Sequence, residues 1–151
     1  MKLPNFEKAF DYENNFYLSC DMTRISKILA HYELFNKVID IGGEIVECGV
    51  FKGASLARFA MFREIFTNPF SKKIIAFDAF GKFPQTKFKD DVKVRKNFVK
   101  EAGENSISKP QLLHVLKNKG ITKYIDTWSN PAASLISVST KNSRYFSIVF
   151  I

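Results

Sequence analysis

The stretch Glu44-Ile-Val-Glu-Cys-Gly-Val-Phe-Lys-Gly-Ala-Ser55 decides how this chain is read. Residues 44–48 form a short strand that opens on Glu44 and carries a second acid, Glu47, among apolar residues. A turn bounded by Gly49 and Gly53 follows, and then a helix from about Ala54 to Phe66, which Asn68-Pro69 breaks. The spacing from Glu47 is E-x-G-x-x-x-G. Without a Cβ, Gly49 and Gly53 let backbone approach a ligand closely. The first amides of the helix point into the same crevice. In an open α/β sheet, ligands bind outside the carboxyl ends of the strands, which is where Glu47 stands.

Working outward, a second strand runs from Lys73 to Phe77 and ends at Asp78. An acid there can accept bonds from two ribose hydroxyls. The dinucleotide fingerprint G-x-G-x-x-G and the phosphate loop G-x-x-x-x-G-K-[ST] are both absent, which favours a ligand without phosphates. A plainer reading of the same residues is that the glycines serve a tight turn and that Glu47 and Asp78 cap helices.

The remaining chain alternates helix and strand. Asp21 or Thr23 caps a helix whose apolar positions are Ile25, Ile28, Leu29, Tyr32, Phe35 and Ile39, ended by Gly42-Gly43. Ala79 to Thr86 reads as a loop, and Asp90 to Lys100 as a helix. A further helix starts near Ser108, turns Leu113 and Leu116 inward, and stops at Gly120. Strands follow at Ile121 to Thr127 and Tyr145 to Ile151, with a short helix between them at Pro131 to Thr140. This alternation predicts a Rossmann-like α/β fold: a parallel sheet with helices on both faces and the first strand between the second and the last. The whole of 1–151 is expected to form one ligand-binding domain, led by a helical segment over about residues 1–42.

Composition sets the outer bounds. The chain has 151 residues, 46% hydrophobic and 25% charged, the balance of a globular protein. Sixteen phenylalanines predict an aromatic core. No apolar run is long enough for a membrane span, and Met1 to Glu13 carries three acids and no apolar signal region. Cys20 and Cys48 form neither a metal pattern nor a disulfide framework, so a reduced, cytoplasmic setting is expected. The net charge is +8, and seven of the basic residues lie between Lys82 and Lys100 against Asp90 and Asp91 alone. No nucleic-acid module accompanies them. A solvated helix face is the first reading of that run. A basic wall beside an anionic substrate such as a sugar nucleotide is the second. His31 and His114 read as satisfied or surface histidines, Trp128 as packing, and Arg24 as a surface ion pair.

The strings Gly43 to Ser55 and Ile75-Ala-Phe-Asp-Ala-Phe-Gly-Lys-Phe-Pro84 resemble the macrocin O-methyltransferase family. These are class I S-adenosylmethionine enzymes, many of which methylate sugar hydroxyls. The segment Glu13-Asn-Asn-Phe-Tyr-Leu18 and the helix after it share the likeness, which covers about 14–151. The resemblance implies S-adenosylmethionine as cofactor. Glu47, Gly49 and Gly53 would line its methionine end, Ser55 would sit at the helix start, Asp78 would hold the ribose, and Phe80 would lie near the adenine edge.

Two departures stand out. Gly81 follows Phe80 directly, which shortens the loop by one residue, and Thr127-Trp128-Ser129 replaces the family's glycine after the third strand. The family's D-x-D-L-Y cluster, which helps bind a divalent metal such as Mg2+ or supplies the base, would follow Ile151. The expectation is therefore a fold incomplete at its C-terminus, with no catalytic residue or metal ligand assigned inside the chain and Asp90, Asp91 and Asp126 the first acids to examine should the chain turn over alone. The expected partner is a small-molecule or sugar acceptor, with neither nucleic acid nor membrane. An uncovered half-sheet would also favour a homo-oligomer. A hydroxylase-like relative and a non-catalytic ligand-binding fragment remain as other readings on the same fold.

Overall fold

A computed structural model describes residues 1–83, 85, 88–129 and 147–148. After a single 3-10 turn at Phe6–Lys8, the elements are α1 (Ala9–Ser19), α2 (Met22–Val38), β1 (Ile45–Cys48), α3 (Ala54–Phe66), β2 (Ile74–Asp78), α4 (Lys89–Ala102), α5 (Lys109–Asn118), β3 (Ile125–Ser129) and β4 (Ser147–Ile148). The strands form one parallel sheet in the order β3-β2-β1-β4, so β1 lies between β2 and β4. Ile45 pairs with Ile74, which pairs with Ile125. The helix expected at 131–140 and most of the strand expected at 145–151 lie outside the described residues. Among the described residues, no helix is long and apolar enough to cross a membrane.

The steps from β1 to β2 and from β2 to β3 run in the same direction across the sheet. Right-handed crossovers then put α3 and α5 on one face. The core shows the result: Ile45, Ile74 and Ala76 from the strands pack with Leu56 and Phe59 of α3 and with Leu112 and Leu116 of α5. Phe35 of α2 closes that core, surrounded by Phe62 and Phe66 at centroid distances of 5.8 and 6.2 Å. The abundance of phenylalanine thus becomes a cluster of tilted and edge-on rings, the arrangement favoured by the ring quadrupole.

Several sequence expectations shift in phase. In α2 the inward positions include His31 and Phe35, whereas Leu29 is exposed. His31 lies three residues after Ile28 and four before Phe35, on the same stripe, while Leu29 falls one helical step off it. In α5 the buried residues are Leu112 and Leu116, and Leu113 is exposed, again one step out of phase. Ser108 caps α5 through a full capping box with Gln111. α1 has no buried residue and so left no core-facing stripe in the sequence.

β3 starts at Ile125 rather than Ile121. Ile121 is buried against the end of α5, where its N–H donates to the Leu116 carbonyl at 3.0 Å. The chain then bends at Tyr124, whose φ is 55°. Arg63 of α3, fully buried, holds this bend by donating to the carbonyls of Lys72, Lys123 and Tyr124 at 2.9 to 3.1 Å and to Glu64. One guanidinium therefore ties the entrances of β2 and β3 to α3.

Candidate functional site

The glycine turn leaves β1 at its carboxyl end. Three of its residues have positive φ: Gly49 at 91°, Phe51 at 47° and Gly53 at 81°. The Gly49 N–H donates to the Phe77 carbonyl at 2.8 Å, and the Gly53 N–H to Val50 at 2.8 Å. Asp78 fastens the turn from the neighbouring strand. Its Oδ2 accepts from the Phe51 N–H at 2.9 Å and its Oδ1 from the Phe80 N–H at 2.6 Å. On the far side, the Ile107 N–H donates to the Phe51 carbonyl at 2.6 Å. The turn is therefore held at both sides, a preorganised loop rather than a slack one.

The two glycines do different work. A Cβ on Gly53 would meet Leu112 Cδ1 at 3.2 Å and Ile107 at 3.5 Å, so this glycine admits α5 and its approach to the turn. A Cβ on Gly49 would meet nothing within 4 Å among the described residues. Gly49 faces open space.

That space is a cleft of about 410 Å³. Phe16 of α1, Arg24 and Lys27 of α2, the turn residues 49–52, and Ala54, Ser55 and Arg58 of α3 line it. Gly53, the N-cap of α3, offers no side-chain oxygen to the first-turn amides, which leaves those donors for whatever enters.

Glu47 stands directly behind Ser55. It is 3% exposed. Its Oε1 accepts from the Ser55 hydroxyl at 2.5 Å, while Oε2 is buried with no hydrogen-bond partner among the described residues. Burial first, and the nearby charge of Asp78 second, push its carboxyl from the ordinary 4.5 up to about 7; the Ser55 hydroxyl, Lys27 and Arg58 pull the other way. A buried carboxylate lacking a donor for one oxygen is costly to leave unsatisfied.

Of the residues singled out in the sequence, Gly49 and Ser55 line the cleft, and Glu47 touches it through Ser55. Asp78 meets it through the turn. Its two oxygens keep further lone pairs beyond the two backbone bonds they accept. Phe80, with φ 50°, packs against the hydrophobic core. Asp126 sits near the start of β3, away from the strand ends that carry Glu47 and Asp78, and pairs with Lys73 at 2.7 Å. Trp128, read as a packing residue, is 57% exposed. Its strand position pairs with Phe77, on the sheet face opposite the α3 core, and α3 and α5 do not cover it. Of the basic run, Arg95 is structural: it reaches the Phe83 carbonyl and Glu104 at 3.1 and 3.0 Å.

No family model and no curated protein matches the sequence. By fold the chain is similar to a calicheamicin methyltransferase of known structure, at a TM-score of 0.54 and 20% identity, with 85% of this chain and 52% of that one covered. The fold is Rossmann-like, as in class I methyltransferases. The chain spans about half the length of that methyltransferase.

The sequence reading missed three contributors to the cleft. Lys27 and Arg58 lie on the polar sides of helices, where lysine and arginine are ordinary. Phe16 belongs to a helix without a buried stripe. Arg24, read as a surface ion pair, forms no salt bridge among the described residues and lines the cleft instead.

Proposed function

We propose that this chain forms the donor-binding part of an S-adenosylmethionine-dependent O-methyltransferase whose acceptor is a sugar hydroxyl. The observation that carries the reading is the buried Oε2 of Glu47, without a partner among the described residues, at the end of the strand that runs into the cleft-lining Gly49. The residues fit the cofactor. Glu47 presents an acceptor with no donor among the described residues, as an ammonium group requires, and the Gly49 backbone leaves room for a ligand where a Cβ would project. Asp78, anchored on two backbone amides, retains lone pairs for hydroxyl donors.

Bound there, S-adenosylmethionine would supply an electrophilic methyl group on a sulfonium. What the chain does is bind and orient. The turn fixed by Asp78 sets the height of the crevice floor, Ser55 fixes one oxygen of Glu47, and α3 presents its first amides. Holding donor and acceptor in line is a large part of the barrier reduction available to such a displacement. Among the described residues, no three of His, Cys, Asp and Glu gather as metal ligands would. Mg2+ thus has no holder there, and donor binding needs none. The acceptor class rests on the resemblance of 43–55 and 75–84 to sugar O-methyltransferases.

Titration calorimetry with S-adenosylhomocysteine tests the reading. Saturable binding is expected in the wild type, with at least a tenfold loss in Glu47→Ala and in Asp78→Ala. Binding unaffected by both substitutions, in proteins that retain their circular dichroism, would remove the donor assignment. A methyl-release assay on nucleotide-linked sugars tests the acceptor class.

A further inference from the structure

α1 is a helix without a core. It has 11 residues, none of them buried. An isolated helix shorter than about 12 residues is marginal in water, and in folded proteins most helical stability comes from packing an apolar face. α1 has such a face, and it points outward. Phe10, Asn14, Tyr17 and Leu18 recur at i, i+4, i+7 and i+8, which puts them on one side of the helix. Phe10 and Tyr17 are exposed, Leu18 is 87% exposed, and Met22, at the start of α2, is 85% exposed. Single exposed apolar residues are ordinary, but a contiguous set rimmed by polar groups marks an interaction surface. Here the rim is acidic: Asp11 and Glu13 flank the stripe on its two sides, and Glu7 precedes it by one turn. None of these acids forms a salt bridge among the described residues. Phe16, on the other side of the helix, faces the cleft.

The charge around this face is opposite in sign to that of the chain. Residues 1–21 hold four acids against two lysines, in a chain whose net charge is +8. The complementary surface stands on the same molecule. Lys93, Lys96 and Lys100 of α4 recur at i, i+3 and i+7 and are exposed, with exposed Val92 beside them. These lysines also form no salt bridge among the described residues. The two faces lie at one pole, on either side of the glycine turn. Phe16 of α1 lines the cleft with Phe51 of the turn, and Phe98 of α4 packs on Phe51 at 5.2 Å and on Phe83 at 4.9 Å. A twofold axis through that pole sets α1 of each copy against α4 of the other. Such a contact closes on itself, because each face meets its complement once in each direction.

We propose that the outward face of α1 docks on α4 of a second copy of this chain, in a reciprocal dimer. The occupant of an apolar stripe with acidic borders must bring cations around an apolar patch, and α4 of a second copy brings both. A nucleic acid or an anionic membrane would be repelled by Glu7, Asp11 and Glu13. Burial of Phe10, Tyr17, Leu18 and Met22 gives α1 the packing that its own chain withholds. The pairs between the acids of α1 and the lysines of α4 lie on the rim, where charge fixes orientation and partner choice more than affinity. The interface is separate from the sheet face around Trp128, and it does not depend on what the cleft binds. Its consequence for the cleft is position: the two clefts open beside the interface.

Analytical ultracentrifugation over a concentration series tests the pairing, with circular dichroism and thermal melts to confirm folding. Three variants change exposed side chains only: Leu18→Ser, the double Asp11→Lys with Glu13→Lys, and the double Lys93→Glu with Lys96→Glu. The wild type is expected to dimerise at low salt, with a dissociation constant that rises as salt screens the rim pairs. Each variant should weaken the dimer about tenfold or more. The decisive sample is an equal mixture of the two charge-reversed doubles. Alone, each sets like charges against like in both contacts. Together, the reversed α1 of one meets the reversed α4 of the other, and the two unchanged faces meet as well, so a mixed dimer of near wild-type affinity should form. A wild type that stays monomeric at high concentration and low salt overturns the proposal. A dimer that survives Leu18→Ser unweakened removes α1 from the interface. Loss of the dimer on reversing α1 but not on reversing α4, or a mixture of folded doubles that stays monomeric, shows that α1 meets some other surface and overturns the pairing with α4.

Discussion

Replacing Glu47 by glutamine should change the pH dependence of stability in a calculable way. In the folded chain burial raises this carboxyl from 4.5 to about 7. The native state therefore keeps a proton that the unfolded chain releases as pH passes from 4.5 toward 7. Where the native state binds more protons, stability falls as pH rises. The loss begins near 4.5, is complete a little above 7, and amounts to about 3 kcal/mol for a displacement of this size. The charged and titratable groups facing Glu47 are Asp78, Lys27, Arg58 and Cys48. A glutamine is neutral throughout, and its side-chain oxygen still accepts from Ser55. Its unfolding free energy minus that of the wild type should thus rise by about 3 kcal/mol between pH 4.5 and pH 8. Urea unfolding of both proteins at half-unit pH steps and constant ionic strength reads this difference. Other groups titrate in both proteins and cancel to first order. Curves that stay parallel across the window would refute the claim that Glu47 is buried and short of a partner.

Three further outcomes follow from the packing. Arg63→Ala should destabilise the fold by about 3 kcal/mol or more, since it strips a buried guanidinium from three backbone carbonyls, and Arg63→Lys should recover only part of this; denaturant midpoints decide it. Gly53→Ala should cost more stability than Gly49→Ala, because both glycines have positive φ but only at Gly53 does a Cβ meet a neighbour, Leu112 at 3.2 Å; paired thermal melts check the order. For His31 the sign is opposite to that of Glu47: a histidine that burial holds down at about 4 loses stability as pH falls from 6.5 toward 4, so His31→Asn should flatten that acid limb in a urea series.

The turn was legible in the sequence because its chemistry is local. A strand, an acid, two glycines and a helix start occupy twelve consecutive residues, and positive φ at Gly49 and Gly53 is what glycine permits at least cost. The helix start near Ser108 and the break at Asn68-Pro69 were legible for the same reason. The cations lining the cleft were not. Arg24, Lys27 and Arg58 are separated by up to thirty-four positions, and each is an ordinary surface residue on its own helix. The start of β3 was missed because Ile121 and Ile125 are equally apolar, and only the position of α5 and the Arg63 bonds decide which of them enters the sheet.

The sequence by itself determined the alternation of helix and strand, the parallel sheet that right-handed crossovers impose on it, and the glycine turn at the end of its first strand. Those features depend on periodicity and on backbone freedom, which a short window of residues carries. Tertiary structure alone decided the rest. It set Asp78 to fasten the turn, turned Gly53 toward α5, and buried Glu47 with one oxygen unpartnered among the described residues. It also packed α2 on α3, so that His31 meets Arg58 across twenty-seven positions. Burial and the meeting of charges depend on which surfaces come together, and neither is a property of any residue until the helices have docked on the sheet.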